Sequence, residues 1–325
     1  MALLNPLVIP AAGLQAGLRS EFLSIYKETE NTELADLGKI MRFGVPSTLR
    51  TETYPFSDGM PHPRRWAKGT PVPRESGEFK TFFVSNTKWG LRIEWDREDR
   101  EDNQISNLYD EAREAGANWA RLKRRVFFQM LLGSTNAALL ASVPTAADGV
   151  NLFSGSTRFG HASGNIVTGN GVATTAAIHR DFFSAISRFQ LYTNPKGFPL
   201  LDPNIAQRGV TIIHGAANLE VFQTAFRAML VEKLVSAPTN IVPEVYRNIS
   251  FMSVPEITDN DWYVALQGVQ SKAFIEQERI ALEETVSNVQ SGSDDAREND
   301  LEFIQWRARI GYGIGMPYSI IQVNS

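Results

Sequence analysis

Between residues 54 and 77 the chain carries five prolines (Pro55, Pro61, Pro63, Pro71, Pro73) and three glycines (Gly59, Gly69, Gly77). Proline fixes φ and lacks a backbone donor, and glycine loses the most entropy when ordered, so no helix or central strand persists across such a stretch. The segment also holds Arg64, Arg65, Lys68 and Arg74 against Asp58 and Glu75, a balance of +2 in a chain of net charge −4. A structureless loop of this length is uncommon inside a compact domain; it serves binding, or a neighbour orders it. Trp66 among the cations admits two readings. One is nucleic acid, through phosphate contacts and stacking; the other is an acidic protein surface.

The remainder of the 325 residues is ordinary by comparison, with 43% hydrophobic and 21% charged side chains. That is enough for a sizeable core and for two domains. A charge of −4 supplies no global attraction to nucleic acid or an anionic membrane, so any such partner must be met locally. The absence of cysteine removes disulfides, thiolate metal sites and a cysteine nucleophile. No apolar run approaches the roughly 18 to 20 residues of a membrane span. The start, with Pro6, Pro10 and no Lys or Arg before Arg19, lacks the charged region of a secretory signal. A soluble protein of a reducing compartment is expected.

Several segments declare their structure by period. Residues near Leu18 to Leu37 read as a polar helix with too few large apolar residues for a core of its own, an arm that packs on something else. Phe79 to Val84 and Trp89 to Trp95 read as strands, with Ser85-Asn86-Thr87 as a turn, giving a long hairpin. From Asp102, Ile105, Leu108, Ala112, Ala115, Trp119, Leu122 and Val126 step by threes and fours, one apolar stripe on a helix over about 102 to 132. At 1.5 Å per residue it would be about 45 Å long, a structural spine. Acidic residues crowd its start, and Arg121, Lys123, Arg124 and Arg125 lie toward its end, as the helix dipole favours. Gly133 closes it.

Residues 143 to 175 are loop or short strand. A helix with Ile178, Phe182, Phe183, Ile186 and Phe189 follows, then a buried strand at Val210 to Ile213. Next comes a helix from about Ala217 to Lys233 with Leu219, Phe222, Phe226 and Leu230 on one face. Two strands around a turn, 249 to 254 and 262 to 266, precede an acidic block. Residues 256 to 302 hold 12 acidic and 3 basic side chains, with 287 to 295 as an exposed loop. Strands over 301 to 310 and 320 to 323 end the chain. The class is α+β.

Catalytic patterns are scarce. His62, His161, His179 and His214 form no i, i+4 pair, and no nucleophile elbow, phosphate loop or dinucleotide fingerprint occurs. Gly311, Gly313 and Gly315 follow a strand without opening a helix, so close backbone approach explains them better than phosphate binding. The run Glu94, Asp96, Glu98, Asp99, Glu101 and Asp102 could seat a divalent cation, but Arg97 and Arg100 interrupt it, and a dipole-matched helix start fits better. No catalytic residue, cofactor or metal is expected, nor a membrane partner.

The order of arm, loop, spine helix, Gly-rich segment, mixed α/β region and terminal strands resembles the major capsid protein of tailed bacteriophages, the Hong Kong 97 fold, most closely the Mu-like major head subunit type. Pro61-His62-Pro63-Arg64-Arg65-Trp66 and Trp89 to Trp95 stand where that family has its extended loop, and Leu131-Leu132-Gly133 ends a spine-like helix. Asp148-Gly149-Val150-Asn151-Leu152-Phe153 with His161, Val210 to His214 with Leu219-Glu220, Ile249 to Val254 with Asp261-Trp262-Tyr263, and Phe303 to Val323 with Met316-Pro317 continue the likeness. No long helical scaffolding segment precedes them, and Lys68 has no basis as a crosslinking residue.

The resemblance implies an N-terminal arm over 1–54, an extended loop over 55–98, a peripheral domain over 99–205 and 291–325, and an axial domain over 206–290. It implies hexamers and pentamers closing into an icosahedral shell around double-stranded DNA, with assembly in the host bacterial cytoplasm and residence in the virion. Scaffold, portal and decoration proteins would be partners. Arg64, Arg65, Trp66, Lys68 and Arg74 would contact a neighbouring subunit. Ile105, Leu108, Trp119, Leu122 and Val126 would form the spine stripe. The mild negative charge would let packaged DNA slide, and the late acidic block supplies a surface complementary in charge to the basic loop. The alternatives are an encapsulin-like cargo shell, a carbohydrate-binding or enzymatic module built on Asp148 and His161, and a tail or decoration subunit.

Overall fold

The computed structural model describes residues 10–57, 63–72, 79–102, 106–159, 162–202, 204–226, 248–269, 271–287 and 298–325. Helix α1 (Ala11–Glu33) leads into strands β1 (Met41–Pro46), β2 (Thr51–Ser57), β3 (Phe79–Ser85) and β4 (Thr87–Asp96). Short α2 (Arg97–Glu101) and long α3 (Ser106–Leu132) follow, then β5 (Ile166–Thr168), α4 (Thr175–Gln190) and β6 (Val210–Gly215). Strands β7 (Ile249–Val254), β8 (Trp262–Leu266), β9 (Phe274–Ser287), β10 (Leu301–Ile314) and β11 (Ile320–Asn324) complete the order.

The spine is α3. Its Leu108, Ala112, Ala115, Trp119 and Val126 are buried as the stripe predicts, Leu122 is half-buried, and Ile105 lies outside the described residues. The acidic run does not extend this helix. Asp96 ends β4 and caps α2, accepting from the Glu98 N–H, so a short helix stands before the spine. Arg100 turns inward to Glu302 at 2.8 Å. At the far end Gly133 takes φ +63°, a left-handed stop that glycine accepts without strain.

Helix α1 packs on α3, so within one chain the arm finds its partner in the spine. Leu14, Leu18 and Phe22 are fully buried, and Phe22 stacks on Trp306 of β10 with centroids 4.0 Å apart. A Cβ on Gly116 would stand 2.5 Å from the Phe22 carbonyl, so this glycine lets the two backbones meet. Glu21 pairs with Arg113 (2.8 Å), Glu33 with Arg121 (3.0 Å) and Glu30 with Lys123 (2.8 Å). The basic cluster therefore serves α1 more than the dipole of α3. Arg125 is already about two turns from Leu132, and the dipole fades within the last turn. Lys123 also reaches Glu276 at 3.4 Å. Burial opposes its charge, but Glu276, Tyr26 and Glu30 outweigh burial and raise its pKa.

Two sheets share the strands. The first runs β1-β9-β10-β4, with β1 and β9 parallel and the rest antiparallel. The second runs β5-β11-β8-β6-β7; β6 is buried at every position, and α4 packs near it through Ile178, Phe182, Ala185 and Phe189. Strands β7 and β8 do not pair with each other, because β6 lies between them, parallel to β7 and antiparallel to β8. Phe183, grouped with the apolar face of α4, points outward at 49% exposure. In the helix begun at 219–226, Phe222 and Phe226 are buried and Leu219 is exposed, while Leu230 lies outside the described residues. Strand β9 lies in the range 206–290 yet joins the first sheet, and β11 crosses from the chain end into the second.

Candidate assembly surface

The hairpin of the extended loop differs from the sequence expectation in its partners. Strand β3 pairs antiparallel with β2, from Thr51↔Ser85 to Ser57↔Phe79, while β4 pairs with β10 from Thr87↔Ile310 to Asp96↔Leu301. Ser85-Asn86-Thr87 is thus no hairpin turn. It is the point where one chain leaves the projecting ribbon and enters the body sheet.

Asn86, buried, holds that junction. Its N–H donates to the Arg50 carbonyl (2.8 Å), and its Nδ2 donates to Ser47 Oγ (2.7 Å) and the Leu49 carbonyl (2.8 Å). Gln277 of β9 donates through Nε2 to the Val84 carbonyl (2.9 Å) and to Asn86 Oδ1 (3.0 Å), and accepts from the Tyr54 hydroxyl (2.9 Å). Glu52 gathers the backbone N–H groups of Thr48 and Leu49 and the Ser47 hydroxyl. These bonds, the Leu49 and Thr48 backbone donors first, hold its carboxyl below the usual range. A buried network with its members satisfied fixes one geometry, here the angle at which the hairpin leaves the body.

The glycine series of β10 lies directly beneath. A Cβ on Gly311 would be 2.8 Å from the Ser85 carbonyl and from Gln277 Nε2, and one on Gly313 would be 2.4 Å from Val84 Cγ2. Close backbone approach was legible in the G-x-G-x-G pattern; which strand approaches was not. Asn86 and Gln277 gave no signal in sequence, because an isolated amide shows neither its burial nor its partners.

Beyond this root the loop is open. Phe82 and Val84 face inward, whereas Phe83 is 65% exposed on the other face of β3. At the tip, Arg64, Arg65, Trp66 and Lys68 all lie exposed. Trp66 is 62% exposed and donates to the Thr70 carbonyl at 2.6 Å, a local turn with no core beneath it. Arg74 lies outside the described residues.

The acidic block is less available than its charge suggests. Glu276 meets Lys123, Glu302 meets Arg100, Glu284 meets Arg19 at 3.3 Å, and Glu283 meets Arg307. All four cations lie outside the 256–302 block, Arg307 just after it, so a count along the block misses them. Four of its carboxylates are thus paired within the chain.

The rival ligand site on the Gly-rich segment loses its acid. Asp148 is committed to fully buried Arg158 at 2.6 Å, and Arg158 also donates to the Asn151 and Leu152 carbonyls. Asn165 binds the same Leu152 carbonyl, so the segment is tied down as structure. His161 and His62 lie outside the described residues. His179 Nε2 contacts the Ala225 carbonyl at 2.9 Å; buried His214 stacks on Phe222 at 4.7 Å. Among the described residues no group of three His, Asp or Glu side chains could hold a metal ion, and no helix is long and apolar enough to cross a membrane.

A long spine helix under a sheet, a second sheet, and a ribbon projecting from a locked root define the Hong Kong 97 class of capsid fold. The chain belongs to the phage capsid protein family, which it matches over residues 80–323. Solved structures agree in fold. The asymmetric unit of the bacteriophage PhiM1 mature capsid is 13% identical with TM-score 0.53, covering 88% of this chain and 85% of that one. A virus-like particle from Pyrococcus furiosus is 11% identical with TM-score 0.51, covering 95% and 98%. The capsid of Ralstonia phage GP4 is 10% identical with TM-score 0.51, covering 88% and 90%. No curated protein sequence matches. The chain is thus a bacteriophage capsid protein, a structural component of the virion. The phage family match favours this over a cargo-compartment shell.

Proposed function

We propose that this subunit is of the Mu-like major head type, forms hexamers and pentamers, and works by assembly without catalysis, enclosing double-stranded DNA without reading its sequence. Assembly takes place in the host bacterial cytoplasm, with scaffold, portal and decoration proteins as partners. The extended loop lies across a neighbouring subunit through Arg64, Arg65, Trp66, Lys68 and Arg74. The N-terminal arm, whose α1 is seated on the spine within one chain, straps another neighbour. The axial unit, over 206–290, centres on β6, β7 and β8 of the five-stranded sheet, while β9 in the same range pairs with β10. The stripe of α3, Leu108, Trp119 and Val126 with Ile105 and Leu122, is the rigid beam that keeps both in register.

The single observation that supports this reading is the contrast within the loop: a root locked by Asn86 and Gln277, and a cationic tip with no core of its own. A rigid arm with an uncovered end is what a partner surface completes. The test is negative-stain microscopy of wild type and of the R64E/R65E/K68E variant. Wild type should give closed shells or capsomer rings, and the variant folded subunits with few shells. Normal shells from the variant would remove the electrostatic role of the tip. A wild-type chain that stays monomeric across concentrations and crowding agents would overturn the shell geometry.

A further inference from the structure

We propose that the root of the extended loop contains an oxyanion site, in which Arg42 and Lys272 hold a carboxylate or phosphate group within a cavity of about 110 Å3. The cavity lies where three parts of the chain meet. Arg42 comes from β1, Tyr54 and Phe82 from the hairpin, and Ser271 and Lys272 from the segment entering β9.

Two cations share this space without a counter-charge. Among the described residues no carboxylate forms an ion pair with Arg42 or Lys272. The most buried cations elsewhere are each neutralised: Arg100 by Glu302, Lys123 by Glu30 and Glu276, and Arg158 by Asp148. Lys272 is half-buried and donates to the Gly38 carbonyl and, at 3.4 Å, to the Met41 carbonyl. An ammonium has three donors, so one remains for a ligand. Arg42 lies exposed at the rim with its planar guanidinium, a group whose paired N–H donors match two oxygens of a carboxylate or phosphate. The Ser271 hydroxyl adds a donor, whereas that of Tyr54 is committed to Gln277.

The walls strengthen the case. Phe82, Ile275 and Met316 line the cavity, and an apolar lining screens charge poorly, so both the repulsion between the cations and the gain from an anion exceed their values in open water. Burial, and then the Arg42 charge, hold the Lys272 ammonium below its ordinary pKa. A bound oxyanion would bridge β1 to the β9 entry beneath the hairpin, through Arg42, Ser271 and Lys272. Its source is an acidic side chain of a second copy in the shell or free phosphate.

Dispersed wild-type subunits should be titrated with inorganic phosphate at constant ionic strength, following the melting temperature, beside Arg42→Gln and Lys272→Met. A phosphate-dependent rise in wild type, with apparent affinity at least tenfold weaker in Arg42→Gln, supports the site with a free oxyanion as its ligand. Arg42→Gln leaves the two backbone bonds of Lys272 intact, so it remains informative if Lys272→Met fails to fold. No response in wild type, together with assembly lost in Arg42→Glu and kept in Arg42→Lys, supports the site with a neighbour's carboxylate as its ligand. Equal phosphate responses in wild type and Arg42→Gln, or no response together with normal assembly of Arg42→Glu, would overturn it. The phosphate arm needs no shell, so a chain that assembles normally and ignores phosphate and charge reversal counts against the pocket and leaves the capsid reading standing.

Discussion

The spine and the extended loop are separated by a few residues of chain and are stabilised in opposite ways. Along α3 nearly every inward side chain meets another apolar group, and the ion pairs to α1 fasten its flank. At the tip of the loop Trp66, Arg64, Arg65 and Lys68 lie exposed, whereas the root is held by hydrogen bonds. Burial makes the first region self-sufficient. The second is a two-stranded ribbon whose described tip residues make only local turns, so it gains ordering energy from its neighbours in a shell.

Breaking the buried core around the spine should have the largest effect. Trp306→Ala removes the ring against which Phe22 stacks, both being fully buried, and should cost about 3–5 kcal/mol in chemical denaturation. A loss below about 1 kcal/mol would mean that α1 contributes little to the core.

Next is the seam between the regions. Gly313→Ala places a methyl group 2.4 Å from Val84 Cγ2 and should cost about 1–3 kcal/mol by overpacking. Because the displaced strand is β3, shell yield in negative stain should fall more than thermal stability does. Equal losses in both would mean that the loop angle is unimportant.

A smaller effect should follow pH in the second sheet. Burial holds the His214 imidazole below its ordinary value, although its contact to the Gly215 carbonyl works the other way. On acidification the unfolded chain therefore takes up the proton first. Stability is fully present above about pH 6.5 and declines as pH falls toward the lowered value. Melting temperatures at pH 7.5 and 5.5 should fall less for His214→Phe than for wild type. Parallel declines would assign the acid sensitivity to other groups.

The smallest expected change is in the loop itself. The R64E/R65E/K68E subunit should keep its circular dichroism melt within about 0.5 kcal/mol of wild type, since these side chains cover no core. A large drop would place the tip inside the fold and erase the contrast with the spine.

Legibility followed the same divide. The stripe of α3 could be read because burial along a helix imposes a period on the sequence, and the buried run of β6 could be read for a similar reason. The glycines of β10 announced a close approach. By contrast, the partner of β3 could not be read. Residues 79–84 and 89–95 have strand character in either pairing, and the return of β2 to β3 spans a segment that carries no strand period. The pairing of the late acidic block was illegible for a related reason, since Arg19, Arg100 and Lys123 reach it from remote parts of the chain.

Local composition and period were enough to read the α+β class, the long spine, the basic Pro- and Gly-rich loop and, through the order of the motifs, the likeness to a capsid subunit. Those properties rest on local composition and period, which each segment carries with it. The tertiary structure alone decided where α1 lies, which strands share a sheet, and that Asn86 and Gln277 lock the loop root. It also brought Arg42 and Lys272 to one cavity from positions 230 residues apart. Side-chain hydrogen bonds and charge pairs of that span leave no periodic trace, because their energy depends on distance in space.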